Sequence, residues 1–162
     1  MDPVKLLEKL VSINSIFPHE AELAHYLADE LKKCGFKGEL QKCGENRYNV
    51  LASRGHIGKP ILLYGHMDTV PAYGYENIDR KPHTLIEKDG KIFGLGAYDM
   101  KAGIAAILKV AAEVKSDRSI KIMFVSDEEA DSTGCFEVSK TKFLDDVEFA
   151  LATEISDVGD IS

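Results

Sequence analysis

The 162-residue chain is long enough to bury one hydrophobic core and too short for two ordinary domains, so its length predicts a single globular unit. Its formal net charge of −7 argues against nucleic acid as a partner, and no apolar run approaches the roughly 20 residues that would cross a bilayer. Three cysteines without CxxC spacing fit neither a disulfide framework nor a zinc ribbon.

Two amphipathic helices are predicted before the first strand. Asp2 and Pro3 suit the first turn of a helix that should end near Asn14, and Pro18 begins a second helix that should stop at Gly35. The N-terminus enters this amphipathic pattern directly, without the basic stretch and long apolar core of a secretion signal. We therefore expect a cytoplasmic location.

The rest of the chain predicts an α/β fold. Apolar segments that fit strands lie at residues 36–42, 49–53, 60–64, 120–125 and 147–152. A turn-forming stretch predicts a hairpin between residues 84–87 and 92–93, and apolar residues on one face predict a helix over residues 99–115. The order strand, helix, strand implies a central mixed, partly parallel sheet that is flanked by helices.

Carboxylates and one histidine follow four of the apolar segments. These side chains are His66, Asp68, Asp99, Glu128, Glu129 and Glu154. A buried strand that runs into such groups places a costly charge where a partner is needed, and a divalent metal is one of few suitable partners. Because function in α/β folds gathers at the carboxyl ends of strands, we expect these side chains to share one metal centre.

Each part of this pattern also has a purely structural explanation. His66 and Asp68 point the same way in an extended chain, so Asp68 can orient the imidazole toward a metal, yet the pair also fits a strand end beside a turn. Asp99 fits the N-cap of the predicted helix as well as it fits a ligand that bridges two cations. Only their convergence would favour the metal site.

The two glutamates at 128 and 129 divide into two roles in the functional interpretation. Glu129 would bind the metal, and Glu128 would take a proton from a metal-bound water and return it to a leaving amine. A solvated acidic turn is the structural alternative for both residues. Glu154 on its own could simply end a strand.

Three ordered motifs resemble the signatures of the M20 family of metallopeptidases and deacylases. They are YGHMDTVP at residues 64–71, GLGAYDMKAG at residues 94–103 and SDEE beginning at Ser126. The resemblance implies that His66, Asp99 and Glu154 hold one zinc and that Asp99 and Glu129 contribute to a second. It also implies that Asp68 orients His66 and that Glu128 is the general base and acid. Co²⁺ or Mn²⁺ could replace Zn²⁺ at such a site.

The reaction implied by the resemblance is hydrolysis of an amide in an N-acyl amino acid or a short peptide, in which metal-bound water attacks the carbonyl. Members of the family are roughly twice as long, which predicts that residues 1–162 form the N-terminal portion of a zinc-hydrolase catalytic domain. The lid and dimerisation domain and the C-terminal segment, with its metal-binding histidine, would then be absent. We expect little or no activity from this chain alone and self-association through an exposed sheet edge.

Two other functional classes stay open from the sequence. The first is a non-catalytic metal-binding or interaction domain that has kept the scaffold and lost turnover. The second is a related dinuclear aminopeptidase, which would apply similar metal chemistry to the amino end of a peptide.

Overall fold

A computed structural model of the protein describes residues 2–74 and 81–155. In chain order the helices and strands are α1 (Pro3–Ser12), α2 (Ala21–Lys33), β1 (Lys37–Gly44), β2 (Arg47–Arg54), β3 (Ile57–His66), β4 (Ile86–Lys88), β5 (Lys91–Phe93), α3 (Ala102–Glu113), β6 (Arg118–Val125), α4 (Thr133–Ser139) and β7 (Phe149–Ala152). Within these ranges no helix is long and apolar enough to cross a membrane.

The main sheet has five strands in the order β1-β2-β6-β3-β7. β1 and β2 run antiparallel to each other, and β2 runs antiparallel to β6. β3 is parallel to both of its neighbours, β6 and β7, which confirms the predicted mixed, partly parallel sheet. The carboxyl ends of β3, β6 and β7 therefore lie at one edge, where the candidate side chains begin.

Helices cover both faces of this sheet, as predicted. The larger core cluster joins apolar residues of α1, α2 and α3 to one face of β2 and β6, represented by Val50 and Phe124. A smaller cluster on the opposite face joins Leu51 and Met123 to Val138 of α4. The alternation of neighbouring residues between the two clusters follows from the period of two along a strand.

The segment before α3 differs from the prediction. A single turn of π-helix at Ala97–Lys101 precedes α3, and Asp99 has an extended backbone (φ −111°, ψ 103°). Asp99 is therefore not the N-cap of a helix over residues 99–115, because α3 begins only at Ala102. Gly96, with φ of +67°, makes the bend that allows this turn.

A buried lysine fixes the same turn against α1. Lys101 is 1% exposed, and its Nζ donates to the carbonyl oxygens of Leu10 at 3.0 Å and Ile13 at 2.9 Å. Burial lowers the pKa of Lys101 to about 8. These bonds satisfy carbonyls at the C-terminal end of α1, a contact that helical periodicity does not reveal.

Other boundaries differ by a few residues. α2 begins at Ala21 rather than at Pro18, and the unpredicted helix α4 follows the third acidic segment. The predicted hairpin is present as β4 and β5, joined by Asp89 and Gly90, which both have positive φ. Part of the polar segment before that hairpin, residues 75–80, lies outside the described residues.

Candidate metal centre

Four chain segments meet at the carboxyl edge of the sheet. His66 ends β3, and Glu128 and Glu129 lie in the turn after β6. Glu154 follows the end of β7, and Asp99 comes from the π-helical turn before α3. The parallel pairing of β3 with β6 and β7 brings three of these segments to the same edge.

The imidazole of His66 is at the centre of the cluster. Its Nε2 lies 2.9 Å from Asp99 Oδ1, 3.9 Å from Glu128 Oε2 and 3.9 Å from Glu154 Oε1. The ring is 1% exposed, whereas the three carboxylate side chains are accessible, at 35–41%. The site therefore presents one buried nitrogen and several oxygens toward solvent.

Two sets of potential ligand atoms share this imidazole. His66, Asp99 and Glu154 offer atoms within 4.8 Å of one another, and so do His66, Glu128 and Glu129. The first set is the trio that the sequence resemblance implied for one zinc. In the second set Glu129 is grouped with His66 and Glu128 rather than with Asp99, so the assignment of Glu129 and Asp99 to a second metal stays a prediction.

Asp68 lies on the other side of the ring. His66 Nδ1 is 3.1 Å from the backbone oxygen of Asp68 and 3.4 Å from its Oδ1, so the carbonyl is the better acceptor for the Nδ1 proton. Either contact leaves Nε2 free to face the carboxylates. This geometry agrees with the expectation that residue 68 orients the imidazole.

The carboxylate of Asp68 has a second contact that sequence reasoning missed. Its two oxygens accept hydrogen bonds from the backbone amides of Glu128 at 3.0 Å and Glu129 at 2.9 Å. Burial alone would raise the pKa of Asp68, but these bonds and the contact with His66 outweigh burial and hold the pKa below its ordinary value. Asp68 therefore stays ionised and joins the imidazole to the turn that carries the two glutamates.

The charges of the cluster are poorly balanced without a cation. Burial alone would lower the pKa of His66, but the neighbouring carboxylates of Asp68, Asp99 and Glu154 outweigh this effect and raise the pKa to about 9. Burial and the negative charge of Asp99 raise the pKa of both Glu129 and Glu154. A raised carboxylate pKa means that the ionised form is unfavourable here, and a bound cation would stabilise that form.

The donor atoms fit a divalent transition metal. One imidazole nitrogen with two or three carboxylate oxygens is a ligand set that zinc, cobalt and manganese accept in catalytic sites. The orientation of His66 by Asp68 is the arrangement that raises the basicity of a metal-binding imidazole. The residues present therefore fit the implied cation, although its identity stays a prediction.

A close backbone contact holds Glu154 near the other ligands. Gly103, in the first turn of α3, packs against Thr153, and a Cβ at this glycine would lie 2.5 Å from both the O and the Oγ1 of Thr153. No side chain fits in that space. The contact joins the segment that follows Asp99 to the residue before Glu154.

Replacing Gly103 with Ala should weaken metal binding. The added methyl group must push Thr153 away, which displaces Glu154 from His66, and loss of such supporting contacts typically costs about 10–100-fold in metal affinity. Competition titration against a chromophoric chelator measures the change. Gly38→Ala is the control, because a Cβ at Gly38 in β1 approaches Ala52 only to 3.4 Å. Equal metal affinities for the two variants would contradict a ligand role for Glu154.

Comparison with known proteins places the chain in a family. The family model described as Peptidase family M20/M25/M40 matches residues 62–159. A probable succinyl-diaminopimelate desuccinylase of Staphylococcus aureus is 33% identical over 159 residues, which cover 94% of this chain and 40% of the relative. A protein of the same description from Staphylococcus epidermidis is 33% identical over 152 residues and is covered to 37%. The chain thus spans about 40% of the length of curated relatives that it matches.

Solved structures share the fold. Human carnosine dipeptidase 1 superimposes with a TM-score of 0.84 at 25% identity, over 94% of this chain and 38% of the dipeptidase. An M20 family metallo-carboxypeptidase from Sulfolobus solfataricus, Sso-CP2, also gives a TM-score of 0.84, at 22% identity, over 96% of this chain and 38% of that one. The α/β fold with a mixed central sheet is therefore the one that M20 enzymes adopt.

Proposed function

The chain belongs to peptidase family M20/M25/M40, and on that premise we propose that it carries part of the active site of a metal-dependent amide hydrolase. The observation that carries this proposal is the contact of His66 with Asp99, Glu128 and Glu154, which come from three other segments of the chain. An N-cap, an acidic turn and a strand end would each account for one of these acids, but not for their convergence on one imidazole.

Each residue has a separate task in this proposal. His66, Asp99 and Glu154 hold a divalent cation, Glu129 contributes to a second, and Asp68 fixes the ring of His66. A cation bound there would polarise the carbonyl of the amide and make a water molecule more acidic. The substrate must place that carbonyl over the accessible carboxylates, since the imidazole is buried.

Glu128 is the residue that we assign to proton transfer. Its side chain is 41% exposed, while its backbone amide donates a hydrogen bond to Asp68. The backbone of Glu128 is therefore fixed, and its carboxylate is accessible to a substrate. It would remove a proton from the attacking water and deliver one to the nitrogen of the leaving amine. Such general acid and base catalysis contributes about 10²–10⁴-fold in rate.

The substrate that we favour is an N-acyl amino acid, with a succinyl or acetyl group. The support is the 33% identity to a probable succinyl-diaminopimelate desuccinylase. A dipeptide is the second candidate, because human carnosine dipeptidase 1 has the same fold at 25% identity. Both substrates present an amide carbonyl next to a carboxylate-bearing residue.

We further propose that the described residues form the N-terminal portion of the catalytic domain. The support is the coverage of only 40% of the Staphylococcus aureus relative. On its own this portion would turn over little substrate. Self-association through the edge strand β7, where Phe149 and Leu151 are each 53% exposed, and a cytoplasmic location both stay predictions.

A substrate panel tests the function. The complete protein that contains this chain is stripped of metal, titrated with Zn²⁺, Co²⁺ or Mn²⁺, and assayed on N-succinyl and N-acetyl amino acids and on dipeptides with a free amine. We expect metal-dependent release of amine from the N-acyl substrates. Cleavage of free-amine dipeptides alone would make the protein a dipeptidase, and metal binding without any hydrolysis would make it a non-catalytic domain.

A further inference from the structure

The turn that carries the two glutamates is held by polar side chains of β2, far along the chain. We call residues 126–134 the acidic turn; it runs from the end of β6 into the first two residues of α4 and contains Glu128 and Glu129. The two β2 residues are Arg47 and Asn49, which are two positions apart and therefore point to the same side of the strand. Among the described residues, no hydrogen bond or ion pair joins Arg47 or Asn49 to a candidate metal ligand.

Asn49 bonds to both ends of the acidic turn. Its Oδ1 accepts from the amide of Ser126 at 3.1 Å, and its Nδ2 donates to the carbonyl of Gly134 at 2.9 Å. Asn49 is fully buried. Because Gly134 has no Cβ, it can approach this amide closely: a Cβ there would lie 2.5 Å from Asn49 Oδ1. The amide of Asn49 thus fixes the distance between the first and last residues of the turn.

Arg47 holds the residue next to Glu128. Its Nη2 lies 3.2 Å from Asp127 Oδ2, and the two side chains are 11% and 1% exposed. Asp127 in turn accepts from the amides of Asp131 at 3.2 Å and Thr133 at 3.1 Å, while its own backbone has φ of +68°. Asp127 therefore organises the inside of the acidic turn, and Arg47 neutralises the negative charge of the buried Asp127 carboxylate.

Arg47 is itself fixed in place by α2 and the loop before it. The carboxylate of Glu20, at the N-terminal end of α2, lies 3.4 Å from Arg47 Nη2 and is fully buried. The guanidinium also stacks over the ring of Phe17 at 4.6 Å. A cation between two buried acids and against an aromatic ring has little freedom to move.

We propose that Arg47 is a positioning residue for the reaction, which acts through Asp127 to hold the acidic turn so that Glu128 and Glu129 face His66. Asp68 fixes the turn from the side of the metal centre, through the amides of Glu128 and Glu129, and Arg47 and Asn49 fix it from the side of the core. The inference rests on the proposed function only for its effect on catalysis. Its structural part can be measured without metal or substrate.

Arg54, at the other end of β2, is the matched control. Like Arg47 it stacks over a phenylalanine, with its guanidinium 4.5 Å from the ring centre of Phe36, although it is half-buried where Arg47 is buried. It donates to the carbonyls of Cys34, Ala111 and Val114, none of which lies in the acidic turn. Arg54→Met therefore removes a comparable stacked guanidinium of the same strand without releasing Glu128.

Amide hydrogen exchange on the metal-free protein gives the first test. In Arg47→Met, the amides of residues 127–133 should exchange at least about tenfold faster relative to those of β6, because local opening becomes easier. In Arg54→Met the acidic turn should exchange as in the unchanged protein. Arg47→Lys should restore part of the protection, since a lysine can pair with Asp127 but lacks the planar guanidinium that stacks over Phe17.

Kinetics of the metal-loaded complete protein give the second test. Arg47→Met should lower kcat about 10–100-fold with little change in KM, as expected for a misplaced proton-transfer group, and Arg54→Met should not change kcat. Should Arg47→Met fail to fold, Arg47→Lys takes its place, and it should show faster exchange of the acidic turn and a lower kcat, each to a smaller degree.

Equal exchange of the acidic turn in the Arg47 and Arg54 variants would overturn the proposal, since Arg47 would then contribute only general stability. Faster exchange of the turn with an unchanged kcat would support the structural contact and overturn the role of Arg47 in the reaction, whereas absence of hydrolysis by the unchanged protein would contradict the proposed function itself. The two failures are therefore distinguishable.

Discussion

Replacing Glu128 with Gln should lower kcat for amide hydrolysis about 10²–10⁴-fold and leave the metal bound. Gln has the same shape but cannot accept a proton from water. The backbone of residue 128 is fixed by the Asp68 carboxylate, so the substitution leaves the acidic turn in place. Steady-state kinetics on the complete protein, together with metal analysis of the same sample, check both parts.

The control for this experiment is Glu137→Gln on α4. The Glu137 side chain is similarly accessible, at 32%, and forms an ion pair with Lys140 away from the metal centre. Its substitution should leave kcat unchanged. Loss of bound metal from the Glu128→Gln protein would show that Glu128 is a metal ligand. This alternative is specific, because the ligand atoms of His66, Glu128 and Glu129 lie within 4.8 Å of one another. Full activity would remove Glu128 from catalysis altogether.

The sheet was the most predictable part of the structure. Residues 120–125 form an apolar run that is interrupted only by Lys121, which is typical of a strand that is largely buried on both faces, and β6 lies in the middle of the sheet between β2 and β3. Its position follows from burial alone. The short edge strand β7 was also predicted, although all four of its residues are exposed in the structure.

The turn around Asp99 could not be predicted from periodicity. The apolar residues of α3 continue the helical pattern backward through Met100, so the pattern alone favours a helix that starts at Asp99. The bend depends on Gly96 and on the buried Nζ of Lys101, which bonds to carbonyls at the end of α1. A contact between distant segments therefore overrides the local preference.

The candidate site was predicted from strand ends, but its supporting contacts were not. The ligand trio of His66, Asp99 and Glu154 is adjacent in the structure, as the resemblance implied, while its role stays a prediction. The bonds from Asp68 to the amides of the acidic turn connect residues with no local relation in sequence. One usable signal was overlooked: Arg47 and Asn49 are polar residues spaced by two just before the apolar stretch of β2 at residues 50–52, which marks a buried polar contact.

His66→Ala should have the largest effect on metal binding. This imidazole is the only nitrogen donor in either ligand group and is common to both. Its removal leaves carboxylates that repel one another and bind zinc less well than a site with nitrogen does. Since loss of a merely supporting contact costs about 10–100-fold in affinity, loss of this shared ligand should cost more than about a hundredfold.

The measurement is metal content after gel filtration, together with the visible spectrum of the cobalt-loaded protein. His25→Ala is the control, because this exposed ring only packs edge-on against Tyr48, at 5.6 Å between ring centres. It should bind metal as the unchanged protein does. If His66→Ala kept a full equivalent of metal at native affinity, the binding site would consist of carboxylates alone. The contacts of the carboxylates with His66 would then be hydrogen bonds only, and the proposed assignment of His66 to the active site would be wrong.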